Sequence, residues 1–256
     1  MTLLDPSFED LISDAEAPFV GWDFSWITAT RRMVEAPLDW SYASKILPYL
    51  KMADSLLDMG TGGGELLAKL RPLPKHTCAT EGYAPNVSLA RQRLLPMGIQ
   101  VWEVGGDGVL PFDDNSFDLV INRHAAYNES EVHRILKPGG HFLTQQVGGQ
   151  NERELNKLLG ADDNSSFAGW NLDDAVHRLR CHRFDILEEQ EAFPVSRYYD
   201  VGAIVYYLKA VPWQVPDFSL KKYRDGLYRI HCMIQRDGYL DIPMHRFFIA
   251  ARKPVS

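Results

Sequence analysis

In LLDMGTGGGELLAKL, residues 56–70, a short apolar run meets a glycine-rich turn and a helical pattern follows at once. A buried strand that feeds a helix through such a turn opens a parallel α/β sheet, and folds of that kind hold nucleotides at the turn. The alternation then continues. SLLDM (55–59), HTCATE (76–81), IQVWEV (99–104), FDLVI (117–121) and HFLTQQV (141–147) read as strands. Between them GELLAKL (64–70), PNVSLARQRLLP (85–96) and NESEVHRIL (128–136) read as helices. The second has proline in its first turn and KPGG stops the third. A βαβα order of this kind predicts a parallel sheet with helices on both faces.

The flanks are less regular. Residues 1–50 carry PFVGWDFSWI, two arginines at 31–32 and a helix around Ser41 to Leu50. After Val147, helices are expected near 151–159 and 172–180, then a strand over 184–190. DVGAIVYYLKA (200–210) and SLKKYRDGLYRIHCMIQRDG (219–238) read as helices capped by Asp200 and Ser219, and HRFFIAARK (245–253) as a last strand. No Pro- or Ser-rich linker separates a second domain. The expectation is one domain over 1–256, with its core at about 40–150 and 184–253. Segments 1–39 and 191–240 would form a helical cover over the carboxyl ends of the strands, where the active site of such a sheet lies.

Composition narrows the partners. A net charge of −7 and a pI near 5.6 oppose a strong electrostatic hold on nucleic acid or an anionic membrane. Cys78, Cys181 and Cys232 are odd in number and far apart, so no disulfide framework is implied, and a reducing cytoplasm is expected. The N-terminal stretch has acids throughout and no basic region, unlike a signal peptide. The longest apolar stretch, VGAIVYYL (201–208), is too short to span a bilayer. His177, Cys181 and His182, or His231 with Cys232, lack the second matched pair that a tetrahedral metal site needs, so no metal is expected.

The glycine turn excludes two of its usual ligands. A P-loop requires GxxxxGK[ST], and no lysine follows these glycines. The dinucleotide fingerprint GxGxxG fits Gly60 and Gly62 but meets Glu65 at its third position. Asp58 stands two residues before the first glycine, where a pyrophosphate would approach. At ~6 Å and an effective dielectric of ~20 the repulsion would be roughly 3 kcal/mol. Acids recur at the ends of the next two strands, Glu81 and Asp107. The crevice suits a cation or a neutral polar nucleoside.

S-adenosylmethionine has that character: a sulfonium, an ammonium and a ribose diol, without phosphate. The chain resembles the class I S-adenosylmethionine-dependent methyltransferases, and within them the methyltransferase type 11 group with small-molecule and quinone-type acceptors. The resemblance rests on LLDMGTGGGE, ATEGY, GGDGVLPFDDNSFDLVINRHAAY and RILKPGGHFL, in family order over about Leu56 to Leu143. It implies a Rossmann-like, seven-stranded, mostly parallel sheet. It also implies roles. Gly60, Thr61, Gly62 and Gly64 would let the backbone approach the methionine part of the cofactor, and Asp58 would face its ammonium. Glu81 would accept from both ribose hydroxyls, and Asp107, with Gly108 beside it, from the adenine amino group. Asn122 would line the methionine through its main chain. Where the family often carries a bulky apolar residue against adenine this chain has Gly82, so Tyr83 fills the gap or adenine is held differently.

On the acceptor side His124 is the candidate general base, beside Tyr127, which could orient an acceptor. Only one of Gln145 and Gln146 can face a given side of the sheet; the other would bond a nearby backbone group. Trp22, Trp26, Tyr206, Tyr207 and Trp213 are the aromatics expected to wall a pocket, or else to pack in the core. The asparagine-proline-aromatic tetrapeptide of amino-directed nucleic-acid methyltransferases is absent, which opposes DNA base methylation. Methyl transfer to a small molecule is the favoured expectation. A fold that binds the cofactor without catalysis, an RNA or protein methyltransferase, and a nicotinamide dehydrogenase are the alternatives. The oxygen, nitrogen, carbon or sulfur character of the acceptor stays open.

Overall fold

The computed structural model describes residues 6–19, 23–106, 108–162 and 167–255. They form two compact units. The first comprises Asp39–Gly148, Trp170–Ala192 and Arg246–Ser256. It contains a seven-stranded sheet, numbered in chain order β1 (Ser55–Met59), β2 (His76–Glu81), β3 (Gln100–Glu103), β4 (Phe117–Arg123), β5 (Leu136–Val147), β6 (Asp185–Ala192) and β7 (Arg246–Arg252). The spatial order is β3-β2-β1-β4-β5-β7-β6. The first five strands pair in parallel, and β7 lies antiparallel between β5 and β6. The expected α/β fold with a seven-stranded, mostly parallel sheet is therefore present.

Why these segments become strands is visible in their burial. Every residue of β1 is buried, as a central parallel strand covered on both faces demands. The edge strand β6 alternates between exposed and half-buried positions and carries Glu188, Glu189 and Glu191, charges that discourage pairing with another chain. Helices α1 (Tyr42–Leu50), α2 (Glu65–Lys69), α3 (Ala84–Leu94), α4 (Glu129–Ile135) and α5 (Leu172–Cys181) belong to this unit. Leu57, Val120, Phe142 and Ile249 on one face of the sheet cluster with Val132 and Ile135 of α4 and with Ala175, Val176 and Leu179 of α5. Asn128 starts α4 by accepting the backbone N–H groups of Ser130 and Glu131, and Asn171 starts α5 by accepting that of Asp174.

KPGG departs from expectation. It does end α4, but it forms the start of a twelve-residue β5 instead of a gap before residue 141. The pairing register of β4 and β5 shifts there, and Gly139 has a φ of +81°. A Cβ on Gly140 would stand 2.9 Å from the Lys137 carbonyl oxygen, so only glycine allows this close approach.

The second unit comprises Met1–Leu38, Gly149–Gly169 and Phe193–His245. Its three short strands, Met33–Glu35, Val195–Tyr198 and Leu240–Pro243, pair antiparallel with Val195–Tyr198 in the middle. These strands and the helix Pro6–Asp14 lack a strong pattern and were not expected from the sequence. The helices Val201–Ala210 and Leu220–Asp237 form as expected, with Asp200 and Ser219 accepting the N–H groups of Ala203 and Lys222. Phe8, Ile12, Tyr198, Ile204, Leu227 and Ile230 make the core of this unit. Gly226 admits the chain of Leu159, whose carbonyl oxygen would lie 2.6 Å from an added Cβ.

Candidate functional site

Parallel strands bring their carboxyl ends to one edge, and in the first unit chain order reverses between β1 and β4. That reversal is where open α/β sheets form a ligand crevice. The turn after β1 is stitched to the end of β2: Gly60 N–H and Thr61 N–H both donate to the Thr80 carbonyl, at 3.0 and 2.9 Å. Gly60, Gly62 and Gly64 all have positive φ, between +63° and +82°. Their surroundings differ. A Cβ on Gly60 would lie 2.3 Å from Ala125 Cβ, whereas Gly62 has nothing within 4 Å of its missing Cβ.

Two carboxylates stand at this turn. Glu81, at the last position of β2, is buried. Its Oε2 accepts from Gly62 N–H at 2.6 Å, and its Oε1 accepts from Gly82 N–H at 2.9 Å and Tyr83 N–H at 2.8 Å. A carboxylate has about four acceptor positions, so about one is left for a further donor. Asp58 is 4% exposed and accepts the Thr61 hydroxyl at 2.7 Å. Burial pushes its pKa up to about 6; the Thr61 hydrogen bond opposes this, Glu81 adds to it and Arg123 opposes it. A buried acid beside a second acid favours the arrival of a cation.

Side chains from β4 and β5 complete the edge in two connected sets. In the first, Asn122 Nδ2 donates to the Met59 carbonyl at 3.0 Å, while its Oδ1 accepts from Thr144 Oγ1 at 2.8 Å and Gln146 Nε2 at 2.6 Å. Gln146 Nε2 also reaches the Ala125 carbonyl at 3.1 Å. The Asn122 carbonyl accepts the Tyr42 hydroxyl at 2.9 Å. This set joins the ends of β1, β4 and β5. In the second, Trp40 Nε1–H donates to Gln145 Oε1 at 2.9 Å, and Gln145 Nε2 lies 3.0 Å from His124 Nε2. His124 is exposed at the surface, yet its ring is crowded by protein atoms. That crowding, with the Arg246 and Arg123 charges, pushes its pKa well below the ordinary histidine value.

The first unit thus brings together Asp58, Gly60, Thr61, Gly62, Gly64, Glu81, Gly82, Tyr83, Asn122, His124, Gln145 and Gln146 around one end of the sheet. Tyr83 is 52% exposed, and Gly82 would carry a Cβ only 3.4 Å from the Val104 carbonyl. Gly108 adopts a φ of +72° next to Asn128. Tyr127 packs edge-on to Phe142 and Trp170; its buried hydroxyl finds no hydrogen-bond partner among the described residues. Asp107 and Trp22 lie outside the described residues. Trp26 and Tyr206 belong to the second unit, where their rings stand 4.6 Å apart and Tyr206 is buried. Tyr207 packs at the edge of that unit's core, and Trp213 is exposed. His177 and Cys181 lie 3.6 Å apart on one helix, and no group of three or more metal-ligating side chains occurs among the described residues.

Sequence reasoning missed Trp40, Tyr42 and Thr144. Thr144-Gln145-Gln146 carried a readable signal, since three consecutive polar residues in a strand otherwise buried imply a bonded network. Trp40 and Tyr42 had none, because their partners lie some 80 or more positions away in the chain.

Comparison with known proteins places residues 57–144 in the methyltransferase domain family. The chain is 33% identical over 82 residues to the 2-methoxy-6-polyprenyl-1,4-benzoquinol methylase of Mus musculus mitochondria, a match covering 28% of this chain and 25% of that protein. It therefore spans about a quarter of that relative's length. It is 26% identical over 227 residues to a malonyl-[acyl-carrier protein] O-methyltransferase of a Marinomonas species, covering 81% and 83% of the two chains. A Bacillus halodurans protein solved as a candidate methyltransferase superposes with a TM-score of 0.60 at 19% identity, covering 83% of this chain and 98% of that one. At that identity the likeness shows the fold.

Proposed function

Because the chain belongs to the class I S-adenosylmethionine-dependent methyltransferases, we propose that it methylates a small-molecule acceptor, with S-adenosylmethionine as donor and S-adenosylhomocysteine as product. The observation that carries this reading is the pair of buried acids, Asp58 and Glu81, at a glycine turn with open space at Gly62. A phosphate ligand would be repelled there; a cationic nucleoside would not. S-adenosylmethionine supplies a methyl group on a positively charged sulfur: the acceptor's lone pair forms the new bond to carbon, and the carbon–sulfur bond breaks with its electron pair going to sulfur.

The chain's own residues bind and orient. Asp58, held by Thr61, faces the ammonium, and Gly60, Gly62 and Gly64 admit the methionine part. Glu81 uses its remaining acceptor capacity on the ribose. Gly82 and Tyr83, with Asp107 and Gly108, serve the adenine. Asn122, its side chain held by Met59, Thr144 and Gln146, offers its main chain. On the acceptor side we assign His124, Tyr127, Gln145 and Gln146, all of the first unit. The acceptors in the relatives' names, a polyprenyl benzoquinol and a malonyl group on acyl-carrier protein, are metabolic groups and not nucleic-acid bases, which supports a small-molecule acceptor. Three sparse free cysteines fit a reducing cytoplasm, and among the described residues no helix is long and apolar enough to cross a membrane.

Titration calorimetry with S-adenosylmethionine tests the first half: saturable binding is expected, with none for NADH. A screen of metabolite extracts for mass gains of one methylene tests the second. Tight cofactor binding without any product would favour a binding protein over an enzyme.

A further inference from the structure

The second polar set at the sheet edge has a direction. Trp40 Nε1–H can only donate, so the Gln145 atom it meets at 2.9 Å is the amide oxygen. The other end of that amide, an NH2 group, then faces His124 Nε2 at 3.0 Å. Since an NH2 group also only donates, Nε2 must be the bare nitrogen and the ring proton must sit on Nδ1. The main chain reinforces the arrangement: His124 N–H donates to the Gln145 carbonyl at 2.8 Å and holds His124 at a φ of +59°, in the left-handed region. Strained backbone of this kind, fixed by its surroundings, clusters at functional sites. Nδ1 has no hydrogen-bond partner among the described residues.

We propose that Gln145 is a positioning residue that locks the His124 proton on Nδ1, so that His124 offers an incoming acceptor a hydrogen-bond donor in place of a base. The inference rests on the methyltransferase reading and sharpens its acceptor. A donor histidine cannot remove a proton, so the acceptor arrives with its lone pair already free, as a carboxylate or an enolate whose oxygen the Nδ1–H meets. The surrounding charge agrees. Arg123 of β4 is the register partner of Gln145, and Arg246 of β7 is that of Val147, two residues on. Both guanidinium charges act on the His124 ring, where they disfavour imidazolium and favour an anion. The general-base role expected of His124 is narrowed accordingly to that of a donor.

Long-range proton–nitrogen NMR of the full chain labelled at histidine nitrogen tests this without donor or acceptor. His124→Asn, a residue that tolerates positive φ, assigns the signal. The wild type should show His124 with a bare Nε2 and a proton on Nδ1, and it should stay neutral at pH values where an ordinary histidine is protonated. Gln145→Leu should release the ring, with Nε2–H appearing and protonation moving toward the ordinary histidine range. Trp40→Phe leaves Gln145 in place but frees its amide to turn, and should also bring up Nε2–H; it serves if Gln145→Leu does not fold. Nε2–H in the wild type, or a signal unmoved in every folded variant, overturns the proposal. When the acceptor is found by mass gain, methyl on a carboxylate oxygen or enolate carbon supports it. Methyl on a neutral alcohol or amine overturns its acceptor half. A chain that never binds S-adenosylmethionine instead sinks the preceding reading, while the NMR outcome still decides the state of His124.

Discussion

Asp58 trades stability for binding. Its native pKa of about 6 lies above the ordinary 3.8, so the folded chain holds more protons than the unfolded one between those pH values. Stability contributed by this group therefore falls as pH rises through that window. The gap corresponds to at most about 3 kcal/mol. Asp58→Asn, which can still accept the Thr61 hydroxyl, should stabilise the ligand-free protein at pH 7.5 by on the order of 1–3 kcal/mol, and by little at pH 4, in urea titrations at the two pH values. Equal effects at both would show that Asp58 is not buried as described. The same variant should weaken S-adenosylmethionine binding, and wild-type affinity should itself decline as pH drops through about 6, because a proton on Asp58 removes the partner of the ammonium. Glu81→Ala should cost more than about 1 kcal/mol of cofactor affinity, since hydrogen bonds to charged groups are worth roughly 1.5–3 kcal/mol each. Unchanged affinity by calorimetry would remove Glu81 from the ribose.

Within the glycine turn, Gly60 and Gly62 do different work. Gly60→Ala must fit a Cβ 2.3 Å from Ala125 Cβ at a φ of +73°. Strain and overpacking together should cost roughly 2–4 kcal/mol in chemical unfolding. Gly62→Ala meets open space, so only the conformational term of about 1–2 kcal/mol applies. If both variants lose the same stability, the turn does not pack against the chain after β4 as described. The turn was legible as an element because glycine, apolar run and helix pattern are local signals. So were α3, α4 and the five parallel strands, whose boundaries shift by one or two residues, apart from the early start of β5. That start was hidden because proline and paired glycines usually mark a break, and only tertiary packing against the Asp118 carbonyl makes them a bulge. The carboxylates of the site were legible from their places at strand ends. The Trp40–Gln145–His124 set was not, since a hydrogen bond across 105 positions leaves no periodic trace.

Across the whole molecule, neither unit is a continuous stretch of chain. Each is assembled from three segments, so the chain passes between them five times. The family match over 57–144 ends within β5, and β7 and β6, which extend the sheet beyond it, come from residues 246–252 and 185–192. A fragment limited to about 40–150 would expose the unpaired edge of β5 and the apolar face that Phe247, Ile249 and Ala251 help to bury. It should be aggregated or unfolded by circular dichroism and analytical centrifugation, and a stable monomeric fragment would contradict the sheet order given above. The short antiparallel strands of the second unit escaped sequence reading for the same long-range reason, being three or four residues each and paired only across distant segments. The central claim is that buried carboxylates at the glycine turn select a cationic adenosyl donor. Its most direct test is competitive calorimetry at pH 7.5 with S-adenosylmethionine and NADH on the full chain. Saturable binding of S-adenosylmethionine, weakened in Glu81→Ala and absent for NADH, is the predicted result. Silence toward S-adenosylmethionine at high micromolar concentration, or NADH binding in its place, would contradict it.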